Sequence, residues 1–528
     1  MMGAKCDAWN GSVPWKPRAL HGVNRGKVLI AETDKTGMFK ESTPLYTAGQ
    51  VRHLDRCAIE TQGIPGFDLM SRAGEAAWRQ ILARWPEAER MLVLCGPGNN
   101  GGDGYVIAAL ARAGGITVDL IQLGETGRIH GDAATAREQF LEAGGRESVF
   151  AGELPAADLV VDALLGTGLE RAVEGEFARA IEAANTLRAH RIAVDIPSGL
   201  NADTGRIMGV AFDAELTVTF IGLKRGLYTG QAADVCGEVV FDDLGVPADT
   251  YAATTCDAVL LPPDLARDTL PARPRTAHKG HAGRLLIVGG DYGLGGAPRM
   301  AGEAALRTGA GLVSLATRAE HAYAHTAVRP ELMCHPVDDR RALAALLGPA
   351  EVIAVGPGLG REAWGRALLA EVLTREVPQV LDADALNLLA QDPRPLPRAV
   401  LTPHPGEAAR LLACTVDDVE RDRFRAVREL QRRFAGVVVL KGSGTLVASP
   451  GGRVAVCPFG NPGMASGGMG DVLTGVIGAL MAQGLEPAQA AEVGVCLHAQ
   501  AGDAAAAEGE RGLIATDLMP WLRRGVNP

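Results

Sequence analysis

Short apolar runs alternate with alanine-rich stretches of helical spacing along most of the chain. From Leu45 a helical segment leads into runs at Met91–Cys95, Thr117–Leu123, Leu159–Asp162, Ile192–Asp195 and Leu216–Phe220, with amphipathic stretches such as 133–143 and 177–184 between them. Apolar runs of strand length separated by helices predict a parallel sheet covered on both faces. The rhythm breaks over about 244–282, where Leu261-Pro-Pro263 and Pro271-Ala-Arg-Pro274 interrupt it. It then restarts, with strands predicted at Leu285–Val288, Leu312–Ala316, Val352–Val355, Val380–Asp382, Ala399–Thr402, Val437–Leu440 and Thr445–Ala448, and helices at 301–307 and 488–501. The pattern predicts two α/β layer domains, one on each side of this break, with expected limits of 45–250 and 265–524. Residues 1–44 lack a periodic apolar face and are expected to form a poorly ordered extension.

Composition narrows the partners. The 528 residues carry a net charge of -10 without any long Lys/Arg block, which argues against nucleic acid or anionic membranes and for a small-molecule ligand. Nine cysteines stand singly, without the paired spacing of a zinc site or disulfide framework, as reduced intracellular thiols do. His278 and His281 have no third ligand at metal-binding spacing. No apolar stretch reaches bilayer length and the N-terminus lacks a signal-peptide pattern, so a cytoplasmic protein is expected.

The chemistry-bearing residues cluster at predicted strand ends. In Asn461-Pro-Gly-Met-Ala-Ser-Gly-Gly-Met-Gly-Asp471, a carboxylate stands behind glycines whose amides are unhindered, and the apolar run 472–480 supplies a helix whose positive end completes an anion pocket. An isolated motif of this kind is equally a glycine turn capped by Asp471. In the first half, Gly96-Pro-Gly-Asn-Asn-Gly-Gly-Asp-Gly104 follows a strand and precedes a predicted helix from Tyr105. Its GxGxxG spacing alone suggests a dinucleotide fold, but the only acid near the ribose-binding position, Asp119, falls inside its strand. Asp162 and Asp195 end two further strands, and with Asn100 and Ser198 they can converge on one crevice.

The strings GNNGGDGY, DALLGTGL and VDIPSGL resemble the NAD(P)HX epimerase domain, a Rossmann-like fold, from about Leu45 to Phe241. The resemblance implies that Asn99, Asn100, Gly101, Gly102 and Asp103, with Gly166, Thr167, Gly168, Leu169, Glu170, Arg171 and Ala172, contact a hydrated nicotinamide nucleotide. It further implies that Asn100, Asp162 and Ser198 hold a potassium ion and that Asp195 binds substrate and acts in catalysis. The set HKGHAG, GPGLG, DADALN, TPHPGE, KGSGT and NPGMASGGMGD, over roughly 265–524, is similar to the ADP- or ATP-dependent NAD(P)HX dehydratases of ribokinase-like fold. That similarity implies that Ala297, Gly358, His404 and Asp471 contact the hydrate, and that Lys441, Gly442, Ser443, Gly444, Thr445 and Gly470 contact the adenine nucleotide. Asp471 is then the base for phosphoryl transfer from ADP or ATP, with Mg2+. NADHX and NADPHX are the implied substrates, and the family tends to form homo-oligomers. The competing readings are a ribokinase-like small-molecule kinase and, for the first half, a nucleotide- or RNA-binding module.

Overall fold

The structure, a computed structural model, describes residues 42–256 and 258–527. Residues 1–41, nearly all of the expected extension, lie outside them.

Among the described residues, eighteen strands form two sheets. After β1 (Thr43–Leu45) come β2 (Arg90–Cys95), β3 (Thr117–Gln122), β4 (Glu147–Val149), β5 (Leu159–Ala163), β6 (His190–Val194), β7 (Leu216–Phe220) and β8 (Glu238–Asp242). Strands β2 to β8 make a wholly parallel sheet in the order β4-β3-β2-β5-β6-β7-β8. The second sheet contains β9 (Ala258–Leu260), β10 (Arg284–Val288), β11 (Leu312–Thr317), β12 (Met333–Pro336), β13 (Val352–Val355), β14 (Gln379–Leu381), β15 (Ala399–Leu401), β16 (Val437–Leu440), β17 (Thr445–Ala448) and β18 (Val454–Cys457). Its order is β1-β9-β18-β17-β16-β15-β14-β13-β10-β11-β12. Both sheets are buried on two faces, as the apolar runs require. Met91, Val93 and Cys95 of β2 join one core cluster while Leu92 and Leu94 join another, and Leu285 and Ile287 of β10 alternate with Leu286 and Val288 in the same way.

The boundary regions differ from expectation. Thr43 and Pro44, assigned to the extension, form β1, and β9 lies inside the stretch read as a linker; both strands belong to the second sheet. Each is three residues long, too short to display a period, and a proline is tolerated on an edge strand such as β1. This short segment ties the lobes together. Leu45 packs in the second lobe's core beside Leu223, a residue of the first lobe. Next to it, Tyr46 donates its amide to the Leu223 carbonyl (2.8 Å) and its own carbonyl accepts from Arg225 N (3.0 Å).

Candidate active sites

In a parallel sheet the carboxyl ends of all strands lie on one edge, and a crevice opens where the strand order reverses. The first sheet reverses between β2 and β5. The loops leaving these strands are Gly96–Gly98 and Leu164–Ala172, so the two glycine motifs of the first half meet at that point. Sequence placed Gly96–Gly104 in a loop, whereas the helix already begins at Asn99 and runs to Ala113. Its glycines serve close packing: a Cβ on Gly101 would lie 1.9 Å from the Gly96 carbonyl oxygen, and one on Gly104 would lie 2.7 Å from Ala163 Cβ. Asn99–Asp103 therefore occupy a helix amino terminus, whose free amides favour anions.

Asn100, Asp162 and Ser198 come together here. Ser198 donates its amide (2.7 Å) and its hydroxyl (2.6 Å) to the two oxygens of Asp162, and Leu165 N donates to Ser198 Oγ (2.8 Å). Asn100 Nδ2 donates to the Leu165 carbonyl (3.2 Å), while Asn100 Oδ1 is buried without any partner. Burial pushes the Asp162 carboxyl up to about 6 against these hydrogen bonds. An orphaned amide oxygen beside a buried carboxylate and a hydroxyl is a hard-oxygen set suited to an alkali cation. Among the described residues, no group of three His, Cys, Asp or Glu side chains forms a metal cluster.

Asp195 lies just past β6 rather than within it, at a φ of 66°. Its Oδ1 accepts from Phe220 N (3.2 Å) and Thr219 Oγ1 (3.3 Å) and pairs with the fully buried Lys224 ammonium. Lys224 also donates to Thr219 Oγ1 (2.9 Å) and the Phe220 carbonyl (3.0 Å). Around this pair, burial first and then neighbouring acids raise Asp103 well above the carboxylate range, and burial raises Asp55 to about 6. Lys224 and Asp55 went unrecognised in the sequence. Lys224 sits in a stretch without strand or helix period, and Asp55 reads as an ordinary polar residue of a helix. Of the 166–172 loop, Gly166 lies over Asn100 and the Leu169 carbonyl accepts from Asn201 (3.0 Å), whereas Glu170, Arg171 and Ala172 are exposed.

The second sheet reverses between β10 and β13. Gly358 follows β13, and Ala297 lies at the start of the helix Gly296–Thr308 that follows β10. They share one wall, since a Cβ on Gly358 would lie 2.5 Å from the Leu294 carbonyl oxygen, and that carbonyl accepts from Ala297 N (3.4 Å). Further along the edge, Asp382, His404 and Lys441 leave β14, β15 and β16. Asp471 lies in the first turn of the helix Met469–Ala482, entered through Gly468 at a φ of 95°. A Cβ on Gly470 would lie 3.1 Å from Lys441 Nζ and 3.4 Å from Asp382 Oδ2, which shows how closely the helix end approaches the Lys441–Asp382 pair.

That pair is tight. Lys441 Nζ donates to Asp382 Oδ1 (2.7 Å) and stands 3.9 Å from Glu407, and Thr474 Oγ1 donates to Asp382 Oδ2 (2.9 Å). Burial alone would raise the Asp382 carboxyl, but Lys441, Thr402 and Thr474 hold it below its ordinary value. Burial and the Asp382 charge push Asp471 up to about 7 in spite of Lys441, and burial likewise pushes Glu407 up to about 7. His404 caps the helix Pro405–Leu412 in a reciprocal box with Glu407, and burial with Lys441 keeps its imidazole below its ordinary pKa. Asp382, Glu407 and Thr474 are the members that sequence left without a role. The first two lay in the DADALN and TPHPGE strings, so a signal existed, but only the fold shows that both face Lys441.

Residues 285–524 match the family model of NAD(P)H-hydrate dehydratase, and residues 66–226 match that of the YjeF-related protein N-terminus. The bifunctional NAD(P)H-hydrate repair enzyme of Coxiella burnetii is 50% identical over 489 residues, covering 92% of this chain and 100% of the relative. This chain belongs to the bifunctional NAD(P)H-hydrate repair enzyme family. The Escherichia coli member is 47% identical, covering 92% of this chain and 94% of the relative. Among solved structures, the ADP/ATP-dependent NAD(P)H-hydrate dehydratase of Bacillus subtilis, co-crystallised with ATP and Mg2+, is 32% identical, covering 50% of this chain and 95% of that chain at a TM-score of 0.46.

Proposed function

We propose that the first lobe, residues 45–250, interconverts the epimers of hydrated NADH and NADPH. The second lobe, residues 265–524, dehydrates the S epimer at the expense of ADP or ATP carrying Mg2+. The observation that carries this reading is Asp471, a carboxyl raised to about 7 at a helix amino terminus, beside a Lys441–carboxylate pair. A base with that pKa is well matched to taking a hydroxyl proton near neutrality.

In the second lobe the ring hydroxyl of the hydrate, oriented by Ala297, Gly358 and His404, attacks the terminal phosphoryl group as Asp471 takes its proton. Amides of Gly468–Gly470 receive the charge on the transferring group. The adenine nucleotide lies along Gly442–Thr445 and Gly470, with Lys441 at its phosphates and Asp382 holding Lys441 in place. The P–O bond to the nucleotide breaks, and with ADP the leaving product is AMP. The ring nitrogen lone pair then expels inorganic phosphate, and loss of a proton from the neighbouring carbon restores the dihydropyridine.

In the first lobe, Asn99–Asp103 and Gly166–Ala172 bind the nucleotide part of the hydrate. Asp195, held by Lys224, moves a proton at the ring hydroxyl so that it can leave and return. Asn100 Oδ1, Asp162 and Ser198 would hold a potassium ion, which would supply positive charge against the buried carboxylate. The orphaned Asn100 oxygen supports this assignment.

The test is incubation of purified protein with mixed epimers and ADP, ATP or neither, following the return of dihydronicotinamide absorbance and free phosphate. Both should rise together only with nucleotide, and both epimers should be consumed. Accumulation of a phosphorylated product in place of free phosphate would make the second lobe a kinase.

A further inference from the structure

The loop joining β16 to β17, residues 441–444, leans on the other lobe. Its Gly444 carbonyl accepts from Thr229 Oγ1 (3.0 Å) and its Ser443 carbonyl accepts from Gly230 N (3.2 Å). On the other side, the Leu440 and Lys441 carbonyls accept from Arg423 Nη2 (3.4 and 3.2 Å), and Arg423 Nε donates to Thr229 Oγ1 (3.1 Å). Three carbonyls of the loop, and that of Leu440 at the end of β16, are thus held by one hydroxyl, one amide and one guanidinium. Thr229 and Arg423 are each 1% exposed, so water offers little substitute.

The fit requires the loop's glycines. Gly444 has a φ of 60° and an added Cβ would lie 1.8 Å from the Tyr228 carbonyl oxygen; Gly442 has a φ of 135° and an added Cβ would lie 3.0 Å from the Arg423 guanidinium. With the carbonyls turned this way, the amides of Gly442, Ser443 and Gly444 meet no acceptor among the described residues. Unpartnered consecutive amides make a cradle for a phosphate or the polar edge of a nucleotide.

We propose that Thr229, from the epimerase lobe, and Arg423 are positioning residues of the dehydratase's nucleotide site. They fix the carbonyls of 440–444 so that the loop's amides are presented to ADP or ATP. The nucleotide site is then complete only when the two lobes are packed together. The inference rests on the reading that the adenine nucleotide binds at 441–445.

Thr229→Val keeps the shape but removes the hydroxyl, and Thr229→Ser restores it. In the full-length enzyme, KM and Kd for ADP, and in parallel for ATP, should rise roughly three- to thirtyfold in Thr229→Val, the span for one or two lost buried hydrogen bonds. At saturating nucleotide kcat should stay within about twofold, and Thr229→Ser should return KM to within about twofold of wild type. Arg423→Lys, which retains charge but not the fork, is the second variant and should raise KM in the same direction. A nucleotide KM within twofold of wild type in both variants would overturn the proposal. A fall in kcat without a KM change, or a loss that serine does not restore, would do so too. Failure of the underlying reading looks different: Lys441→Met in the otherwise unchanged full-length enzyme would then leave the Kd for ADP and ATP at its wild-type value.

Discussion

Asp471 ionises in a pocket that already holds the charge of Asp382, and this sets both its usefulness and its cost. In the proposed role of base it acts only when deprotonated, so kcat/KM for dehydration should fall as pH drops through an apparent pKa near 7. Because Asp382, Glu407 and Lys441 are coupled to it, that value belongs to the cluster. Asp471→Asn should remove this acid limb and lower dehydration by roughly 10² to 10⁴, leaving epimerisation intact, as separate assays of the two reactions would show. The same raised pKa predicts a stability effect. Between the unfolded value of 3.8 and about 7 the folded state binds the extra proton, so the wild type loses stability as pH rises through that window. Asp471→Asn should therefore melt higher than wild type above about pH 7, with the difference vanishing below about pH 4; calorimetry at the two pH values checks it. In the other lobe, Lys224→Met removes the ammonium from Asp195 and should abolish epimerisation while nucleotide-dependent dehydration of the pure S epimer continues.

At the scale of elements, the helix Asn99–Ala113 shows why glycines mislead. The motif Gly96–Gly104 predicts a turn, because glycine is rare inside helices. Here the helix accepts Gly101, Gly102 and Gly104 because its first turns press against Gly96, Met70 and Cys95. That contact is invisible to any local pattern. Gly101→Ala would force a Cβ to within 1.9 Å of a backbone oxygen, so the helix start and the residues it carries, Asn99–Asp103, must shift. Epimerisation should be lost and dehydration retained, with near-wild-type far-UV circular dichroism excluding general unfolding.

The two lobes meet through short segments rather than through a linker alone. Leu45 of β1 is fully buried in the second lobe's core together with Leu223, while Tyr46 hydrogen-bonds into the first lobe. Leu45→Ala should cost about 2–5 kcal/mol, the range for truncating a buried leucine. The melting temperature should drop by several degrees and both activities should decline together on heating. An unchanged melting temperature would show that β1 contributes nothing to holding the lobes.

Strands such as β7, β13, β16 and β17 matched their predicted limits, because an apolar run buried on two faces is written in the residues themselves. The glycine-flanked acids were legible as well: Asp162 near the end of β5, Asp195 just past β6, and Asp471 in the first turn of the helix Met469–Ala482. The short edge strands β4, β8 and β12, and the three-residue β1 and β9, were not legible: they lack a period, and only neighbouring strands in space make them strands. The partners of the candidate residues were equally hidden. Lys224 beside Asp195, Asp382 beside Lys441, and Thr229 beside Gly444 lie 29, 59 and 215 positions apart. Local sequence determines which residues end a strand or start a helix, whereas the pairing of distant side chains depends on strand order. That order is fixed by how the whole chain packs.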